Sequence, residues 1–304
     1  MPLNALYDLP APAKLNLFLH VIGRRADGYH LLQSVFTMID WADTLHLERR
    51  HDGRLRRHDL GPALPDDDLC LKAARLLQAE SGSTLGADIS IDKRVPWGAG
   101  LGGGSSDAAT VLIGLNRLWG LNWPRERLLA LGARLGADVP FFIGGHTAWV
   151  EGIGEKLTPI TLAPQHYAVV KPAESIATAA IFSSSLLTRD SDAVIVAGFL
   201  ADANALVRDE TAEAKSLGGF PGRNDLQRAA EALCPEVAEV GRWLQARFGN
   251  SRMTGSGSAV YARAGTGARP VATMLEGLLD RLPEGWVGRM CRSLDVHPLA
   301  GWLG

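Results

Sequence analysis

A stretch of ten residues in the first half of the chain has the composition of a phosphate-binding loop. Residues 97–106, called here the first glycine loop, read Trp-Gly-Ala-Gly-Leu-Gly-Gly-Gly-Ser-Ser. Glycine has no side chain, so its backbone amide can approach a phosphate closely. A helix that begins directly afterwards adds unpaired N–H groups and the positive end of its dipole. The loop therefore predicts a site for a polyphosphate.

Two common phosphate-binding patterns do not fit this loop. Gly98, Gly100 and Gly103 have the G-x-G-x-x-G spacing of a dinucleotide fold, but a β-rich region precedes them and a helical segment follows. That fold instead needs an early βαβ unit with an acidic residue about twenty positions later. The G-x-x-x-x-G-K-[ST] pattern is also absent, because no lysine follows the glycines. A Rossmann dehydrogenase is therefore disfavoured.

Three polar side chains stand where the loop runs into the predicted helix. The hydroxyls of Ser105 and Ser106 could serve phosphate oxygens, a magnesium ion or the helix cap. Asp107 suits the helix dipole but would repel a phosphate at the same terminus. We therefore expect its side chain to point sideways or toward a metal ion.

A strand pattern near the start of the chain carries a second polar set. Residues 14–21 read Lys-Leu-Asn-Leu-Phe-Leu-His-Val. Successive side chains of a strand point to opposite faces, so Lys14, Asn16 and His20 share one face while the leucines and Val21 share the other. The pattern places a lysine and an amide side by side.

The first half of the chain is predicted to position these residues with strands before the loop and helices after it. Further strands are predicted over residues 34–39, 44–48 and 87–93. Helices are predicted over 68–79, from Ala108 to Gly120, and over 124–135. Residues 51–68 are rich in charge, Gly and Pro, and are expected to form an exposed excursion.

The second half mixes helices and strands without regular alternation. Strands are predicted over 146–151, 166–171 and 260–263, with a Gly-rich connection over 208–223. A helical pair is indicated by Leu226, Ala230 and Leu233 and by Val237, Val240, Leu244 and Phe248, with Pro235 opening the second helix. Residues 254–258, the second glycine loop, read Thr-Gly-Ser-Gly-Ser. The pattern predicts an α+β fold of two lobes, residues 1–160 and 161–304.

Composition excludes several classes of function. Thirty-one Lys and Arg stand against 33 Asp and Glu, a net charge of -2, so no global basic field attracts nucleic acid. The three cysteines are far apart and lack zinc or redox spacing. Neither a targeting segment nor a membrane-spanning apolar run is recognised. The expectation is a cytoplasmic protein with no nucleic acid or membrane partner, and composition does not give its oligomeric state.

Several separated segments together resemble the GHMP kinases. They are residues 12–17 (Pro-Ala-Lys-Leu-Asn-Leu), 23–30 (Gly-Arg-Arg-Ala-Asp-Gly-Tyr-His), 96–106, 135–140 (Leu-Gly-Ala-Asp-Val-Pro) and 254–257. The resemblance implies a two-lobed α+β GHMP kinase fold, with a ribosomal protein S5 domain 2-like N-terminal lobe and a ferredoxin-like C-terminal lobe. It also implies ATP and Mg²⁺ as cofactors, without assigning the magnesium ligands.

The segment that ends in Asp27-Gly28-Tyr29-His30 resembles only part of the superfamily. It resembles the members that phosphorylate the 2-hydroxyl of a cytidine diphosphate ester of methylerythritol, in the non-mevalonate route to isoprenoids. The alternatives are a GHMP kinase for a smaller alcohol, such as homoserine, mevalonate or galactose, and a catalytically silent binding protein of the same fold. The presence of Tyr29 and His30 speaks against the first, and that of Lys14 and Asp138 against the second.

The resemblance also implies roles for individual residues. Asp138 would accept the proton of the acceptor hydroxyl, and Lys14 would orient Asp138 and steady nearby negative charge. Nucleotide contacts are implied for Pro96, Trp97, Gly98, Ala99, Gly100, Leu101, Gly102, Gly103, Gly104, Ser105 and Ser106. Contacts with the cytidyl substrate are implied for Asn16, Tyr29, His30, Thr178, Phe182 and Gly255. The second glycine loop is expected to pack against the first.

Overall fold

A long antiparallel hairpin forms the centre of the computed structural model, which describes residues 3–66, 68–205, 219–266, 277 and 281–303. Strand β1 (Ala5–Arg24) pairs along its length with β2 (His30–Arg50), and Asp27 and Gly28 lie in the turn between them. The register shifts between Pro12 and Ala13, which marks a β-bulge beside Lys14. The hairpin therefore brings residues 14–21 to the middle of the molecule.

Two pairs of short strands join β2 in the same sheet. Strand β3 (Leu55–Asp59) pairs in parallel with β4 (Gly86–Asp92), which pairs antiparallel with the end of β2. Strand β5 (Ala148–Glu151) pairs with the start of β2 and with β6 (Lys156–Pro159). Because β2 pairs with β4 and with β5, it fixes the position of strands β3 to β6 in the sheet.

The strands of the second half belong to the same sheet, and the strand near the C-terminus connects them to β2. Strand β10 (Val287–Leu294) contacts β2 through Ser293 and Leu294 and pairs antiparallel with β7 (Gln165–Lys171). On the other side of β7 lie β9 (Val260–Thr266) and then β8 (Arg252–Met253). A lobe boundary near residue 160 stays a prediction.

Four helices cover the first half. They are α1 (Leu69–Ser81), α2 (Gly103–Leu118), α3 (Arg125–Ala133) and α4 (Val139–Gly144). Helix α2 is buried almost throughout, and it packs against β1, β2, α1 and α4. Its central position gives the first glycine loop a rigid base.

The second half contributes four helices in the described part of the chain. They are α5 (Thr178–Ser183), α6 (Val196–Ala205), α7 (Gln227–Leu233) and α8 (Pro235–Phe248). Pro235 opens α8 as predicted, but Leu233 is 48% exposed and does not belong to the buried stripe. The connection predicted over 208–223 lies largely outside the described residues. Of the helices described, none has the length and apolar character needed to cross a bilayer.

Two strand predictions were wrong in extent. Residues 34–39 and 44–48 form one continuous strand, because Trp41 and Asp43 between them are buried rather than placed in a turn. The Asp43 carboxylate accepts the backbone N–H groups of Arg94 and Val95, at 2.6 and 2.8 Å. Asp43, a polar residue between the two predicted strands, thus has its hydrogen-bond partners in another part of the chain.

The excursion predicted over residues 51–68 contains strand β3. Arg57 in this strand lies 2.7 Å from Asp59 and 3.1 Å from Asp68, so its charges are paired within the segment. Parallel pairing with β4 could not be recognised from composition, because β3 has exposed and half-buried residues in place of an apolar face. Helix α4 and strands β6, β8 and β10 had no sequence prediction.

Candidate active site

A cavity of about 380 Å³ lies where the hairpin, the first glycine loop and α4 meet. Its lining includes residues 96–105 of the loop region, together with Lys14, Asn16, Asp138, Thr178, Phe182 and Gly255. These residues come from five separate parts of the sequence. The cavity therefore brings together most of the residues that the sequence analysis selected, and the exceptions are Tyr29, His30 and Ser106.

The first glycine loop is held by direct backbone contact with the second. Gly98, Gly100 and Gly102 all have positive φ, between 63° and 73°, which glycine adopts without strain. A Cβ atom at Gly100 would lie 2.3 Å from the carbonyl oxygen of Thr254. Backbone bonds from Ser258 to Gly98 and from Ala259 to Ala99, at 3.3 and 3.1 Å, complete the contact. The expected packing of the two loops is confirmed.

The loop ends where α2 begins. Gly102 is the N-cap residue and no side chain caps the helix, so the capping alternative for Ser105 and Ser106 was wrong. Ser105 lines the cavity, whereas Ser106 is fully buried, and its hydroxyl has no hydrogen-bond partner among the described residues. The N-terminal amides of α2 face the same cavity as the loop, which is the arrangement that binds phosphate.

Lys14 lies at the base of this cavity with its charge almost fully buried. Its side chain is 4% exposed, and Nζ lies 3.6 Å from Asp138 Oδ2. Nζ also donates to Asn16 Oδ1 at 2.6 Å and lies 4.7 Å from the centre of the Phe36 ring. Burial lowers the pKa of Lys14, and Asp138 acts in the opposite direction by favouring the charged form.

Asn16 holds Lys14 from the same strand face, as the alternation predicted. Its Nδ2 donates to Ser34 Oγ at 3.0 Å, and Ser34 donates in turn to the carbonyl oxygen of Phe18. The backbone N–H of Asn16 donates to Thr254 Oγ1 at 2.9 Å. These bonds leave the amide oxygen of Asn16 directed at Lys14.

Asp138 immediately precedes α4, in the Gly-Ala-Asp-Val-Pro turn. Its carboxylate is 31% exposed and makes no cap bond to the helix, so it remains available on the cavity side. Pro140 at the helix start has no N–H to be satisfied, and Val139, Phe141 and Phe142 are buried beneath it. The hydrophobic anchor fixes the helix, and the helix fixes the carboxylate.

A buried charge cluster lies behind the first glycine loop. Lys93 lies 2.7 Å from Asp107 Oδ2 and also contacts Asp43, and both carboxylates are at least 97% buried. Burial raises the pKa of Asp107 well above its usual value and Asp43 adds to this, while Lys93 opposes it. For Lys93, burial lowers the pKa but the two carboxylates more than offset it and raise it. Asp107 therefore points sideways, away from the phosphate site.

Of the aromatic residues implied for cytosine, only Phe182 lines the cavity. The His30 ring stacks on Phe182 with centroids 5.0 Å apart and planes at 25°. Burial, followed by the positive charges of Arg189 and Arg24, lowers the pKa of His30 and favours its neutral form. Tyr29 is 61% exposed and is not packed in the core. Thr178 Oγ1 bonds to Ser256 Oγ at 2.7 Å.

Trp97 separates the main cavity from a smaller one. Its side chain is 72% exposed and lines both spaces. The smaller cavity has a volume of about 250 Å³ and is bordered by Leu64, Pro65 and Leu69 in addition to Lys93 and Gly104. This space combines apolar walls with the charged side chains of Asp68 and Asp107, and it opens beside Gly104.

Sequence reasoning did not single out Lys93, Thr254 or Asn224 as site residues. Asn224 donates to the carbonyl oxygens of Met253 and Gly255, at 2.7 and 2.8 Å, and so holds the second glycine loop. Its position just after a Gly-rich connection gave no periodic signal. Thr254 was predicted only as part of the second glycine loop, with no role for its side chain, although its hydroxyl accepts the backbone N–H of Asn16 across 238 residues.

No group of three or more His, Cys, Asp or Glu residues in the described ranges is arranged to hold a metal ion. Mg²⁺ typically uses one or two protein ligands together with substrate phosphates and water. Ser105 lies on the lining of the cavity, and its hydroxyl is an oxygen of the type that Mg²⁺ binds.

Family models match both halves of the chain. The model for the N-terminal domain of GHMP kinases matches residues 68–146, and the model for the C-terminal part of GHMP kinases matches residues 204–275. The first match contains the first glycine loop and Asp138. The second contains the second glycine loop.

Among curated relatives, 4-diphosphocytidyl-2-C-methyl-D-erythritol kinase of Methylibium petroleiphilum is 65% identical and is covered over 100% of both chains. The enzyme of the same name from Albidiferax ferrireducens is 53% identical, over 99% of this chain and 96% of the relative. These alignments include every residue discussed in the cavity.

Solved structures share the architecture. A crystal structure of 4-(cytidine 5'-diphospho)-2C-methyl-D-erythritol kinase superposes with a TM-score of 0.76 and 33% identity, covering 93% of this chain and 98% of that one. A homoserine kinase from Cytophaga hutchinsonii superposes with a TM-score of 0.67 at 15% identity, covering 97% and 96%, which is a likeness of fold alone. The predicted two-lobed α+β GHMP kinase fold is confirmed.

Proposed function

The chain belongs to the 4-diphosphocytidyl-2-C-methyl-D-erythritol kinase family of GHMP kinases, and from this we propose its reaction. It transfers the γ-phosphoryl group of ATP to the 2-hydroxyl of 4-diphosphocytidyl-2-C-methyl-D-erythritol and releases the 2-phosphate and ADP. The step belongs to non-mevalonate isoprenoid precursor biosynthesis. The observation that carries the proposal is the Lys14–Asp138 pair, which faces the same cavity as the first glycine loop.

The triphosphate of ATP occupies the first glycine loop and the N-terminus of α2. Backbone amides of the loop and the helix dipole stabilise the phosphate charge without moving, because the second glycine loop locks the first in place. The smaller cavity beside Gly104 and Trp97 accommodates the adenine. Phosphoryl transfer depends mainly on this positioning and charge neutralisation.

Ser105 and the phosphates of ATP would together hold a magnesium ion. Bound to the phosphates, it would supply Lewis-acid stabilisation of the charge on the transferred group. The Ser105 hydroxyl is the side chain of the loop that we assign to it, with phosphate oxygens and water as the remaining ligands.

Asp138 accepts the proton of the acceptor hydroxyl. Its carboxylate is partly exposed to the cavity, where a substrate oxygen can reach it, and Lys14 holds one of its oxygens. Lys14 is fixed in turn by Asn16, which Ser34 and Thr254 hold in place. A buried cation close to the acceptor also stabilises the negative charge that builds up in the transition state.

The cytidine end of the substrate lies against Phe182. A pyrimidine is recognised by stacking and by hydrogen bonds to its edge, and the His30 ring, whose pKa is lowered by burial, stacks on Phe182 and has an Nε2 atom without a hydrogen-bond partner among the described residues. Tyr29, on the adjacent turn, closes over the base from the solvent side. Thr178, Asn16 and Gly255 line the path between the base and the reacting hydroxyl.

A coupled ADP-release assay with ATP and magnesium tests the proposal. The cytidyl ester of methylerythritol is compared with homoserine, mevalonate and galactose under identical conditions. Turnover of the cytidyl ester alone supports the proposal. Turnover of another alcohol would keep a kinase mechanism but contradict the assignment of Tyr29, His30 and Phe182. Absence of turnover with all four would contradict the proposed reaction.

A further inference from the structure

Phe182 is carried by a helix too short to hold its own position. Helix α5 has six residues, and isolated helices of this length are unstable in water. Of its residues only Ile181 is buried. Its placement against the cavity must therefore come from contacts outside the helix.

The two ends of α5 are tethered differently. At its start, Thr178 bonds to Ser256 of the second glycine loop. At its end, the Arg189 guanidinium donates to three backbone carbonyl oxygens: Nη2 to Phe182 and Ser184, at 3.2 and 2.9 Å, and Nη1 to Leu187, at 3.2 Å. The last carbonyls of a helix lack partners within it, and a cation there also suits the helix dipole.

We propose that Arg189 is a positioning residue for the cytosine end of the substrate site, because its guanidinium holds the last turn of α5 so that the Phe182 ring stays in register with His30. Leu187, whose carbonyl takes the third bond, is buried in the core of the second half, so the guanidinium ties the exposed turn to a rigid base. The inference rests on the proposed function.

The electrostatics of the same region agree with this placement. Arg189 lies close enough to His30 to lower the pKa of that ring, together with Arg24 and after the larger effect of burial. A single side chain thus acts on both members of the aromatic pair, through carbonyl bonds on the Phe182 side and through charge on the His30 side. Lysine is expected to reproduce the first effect only in part, since its single ammonium group lacks the planar fork by which two guanidinium nitrogens reach the three carbonyls.

The test compares Arg189→Met, Arg189→Lys and Arg247→Met with the wild-type chain. Arg247 is the matched control: it is also half-buried and donates to a helix carbonyl, that of Trp243 at 3.1 Å, but it lies in α8 away from the cavity. KM and kcat are measured separately for ATP and for the cytidyl ester of methylerythritol. Thermal unfolding of each variant shows that the chains compared are folded.

Arg189→Met is expected to raise KM for the cytidyl ester about tenfold, the scale of a misplaced stacking partner, while KM for ATP stays within about twofold. Arg189→Lys is expected to fall between Met and wild type, and Arg247→Met to match wild type. An unchanged KM for the cytidyl ester in Arg189→Met, or an equal rise in both KM values, would overturn the proposal.

If Arg189→Met does not fold, Arg189→Lys decides the question by the same comparison: a raised KM for the cytidyl ester supports the proposal and an unchanged one overturns it. Failure of the proposed function is a separate result, because it shows as absence of turnover by the wild-type chain.

Discussion

Lys14 and Asp138 form an ion pair whose members differ sharply in exposure. Their charged atoms are 3.6 Å apart, yet the lysine side chain is 4% exposed and the aspartate side chain 31%. A buried cation and a carboxylate open to the cavity suit different tasks, since the first stabilises charge in a poorly solvated place and the second can meet a substrate. Asp138 is therefore the member of the pair that can contact a substrate, and Lys14 is the buried member.

Asp138→Asn tests whether Asp138 accepts the proton of the acceptor hydroxyl. Asparagine keeps the size of the side chain but cannot accept the hydroxyl proton, so kcat should fall by roughly 10²- to 10⁴-fold, the usual scale for a general base. Affinity for ATP and for the cytidyl ester should change little. Steady-state kinetics and calorimetric titration measure the two effects. Glu80→Gln, which removes an exposed ion-paired carboxylate on α1, serves as the control. Near-normal turnover of Asp138→Asn would remove Asp138 from the mechanism.

Tyr29→Ala tests the cytosine site from the solvent side. Because the Tyr29 side chain is 61% exposed, its removal should cost little folding stability, whereas lost stacking should weaken binding of the cytidyl ester by about 1 to 3 kcal/mol. ATP affinity should be unchanged. Tyr7→Ala, at a tyrosine that is 58% exposed and far along the hairpin, is the matched control for calorimetric titration. Equal affinities in wild type and Tyr29→Ala would show that this ring does not reach the base.

Gly100→Ala tests the contact between the two glycine loops. The added Cβ would lie 2.3 Å from the Thr254 carbonyl oxygen, so one loop must move. Misplacement of reacting groups by about 1 Å can cost about 10²-fold in rate, and we expect a loss of kcat/KM for ATP on that scale.

Gly120→Ala separates this clash from backbone strain. Gly120 has a φ of +69°, close to the +73° of Gly100, but no atom lies within 4 Å of its added Cβ. It should lower the free energy of unfolding by about 1 kcal/mol and leave kinetics unchanged. Similar kinetics in the two variants would mean that the tight approach of the loops has no role in catalysis.

The sequence predicted the parts of the site that local patterns encode. The strand alternation placed Lys14 and Asn16 on one face, and the run of glycines before apolar residues at helical spacing predicted α2, although the helix begins at Gly103 rather than at Ala108. Both inferences depend on neighbours within a few residues, where backbone geometry follows from residue type.

Local sequence patterns did not predict the contacts between segments that are far apart in the chain. Residues 40–43 were left out of the predicted strands because the partners of the buried Asp43, Lys93 and the amides of Arg94 and Val95, lie about fifty positions away. Strand β3 was missed because its pairing with β4, rather than its own composition, defines it. For the same reason the hydroxyl of Thr254 and the amide of Asn224 gave no signal, although both fix the second glycine loop.

His297 makes the stability of the fold depend on pH. Burial lowers the pKa of its ring from 6.5 to about 4, and Nδ1 accepts the backbone N–H of Leu299 at 3.1 Å, which requires an unprotonated nitrogen. The unfolded chain binds a proton near pH 6.5 and the folded chain only near pH 4. The contribution of the neutral ring is therefore complete above about pH 6.5 and is lost as the pH falls toward 4.

The loss from this group should approach about 3 kcal/mol, since each pKa unit corresponds to about 1.4 kcal/mol. Denaturant unfolding of wild type and His297→Asn between about pH 4 and pH 7.5 measures it. The asparagine side chain retains an acceptor for the Leu299 N–H and does not titrate. As the pH falls, the unfolding free energy of the wild type should therefore decrease more than that of His297→Asn. Parallel pH profiles would show that folding does not lower the pKa of this ring.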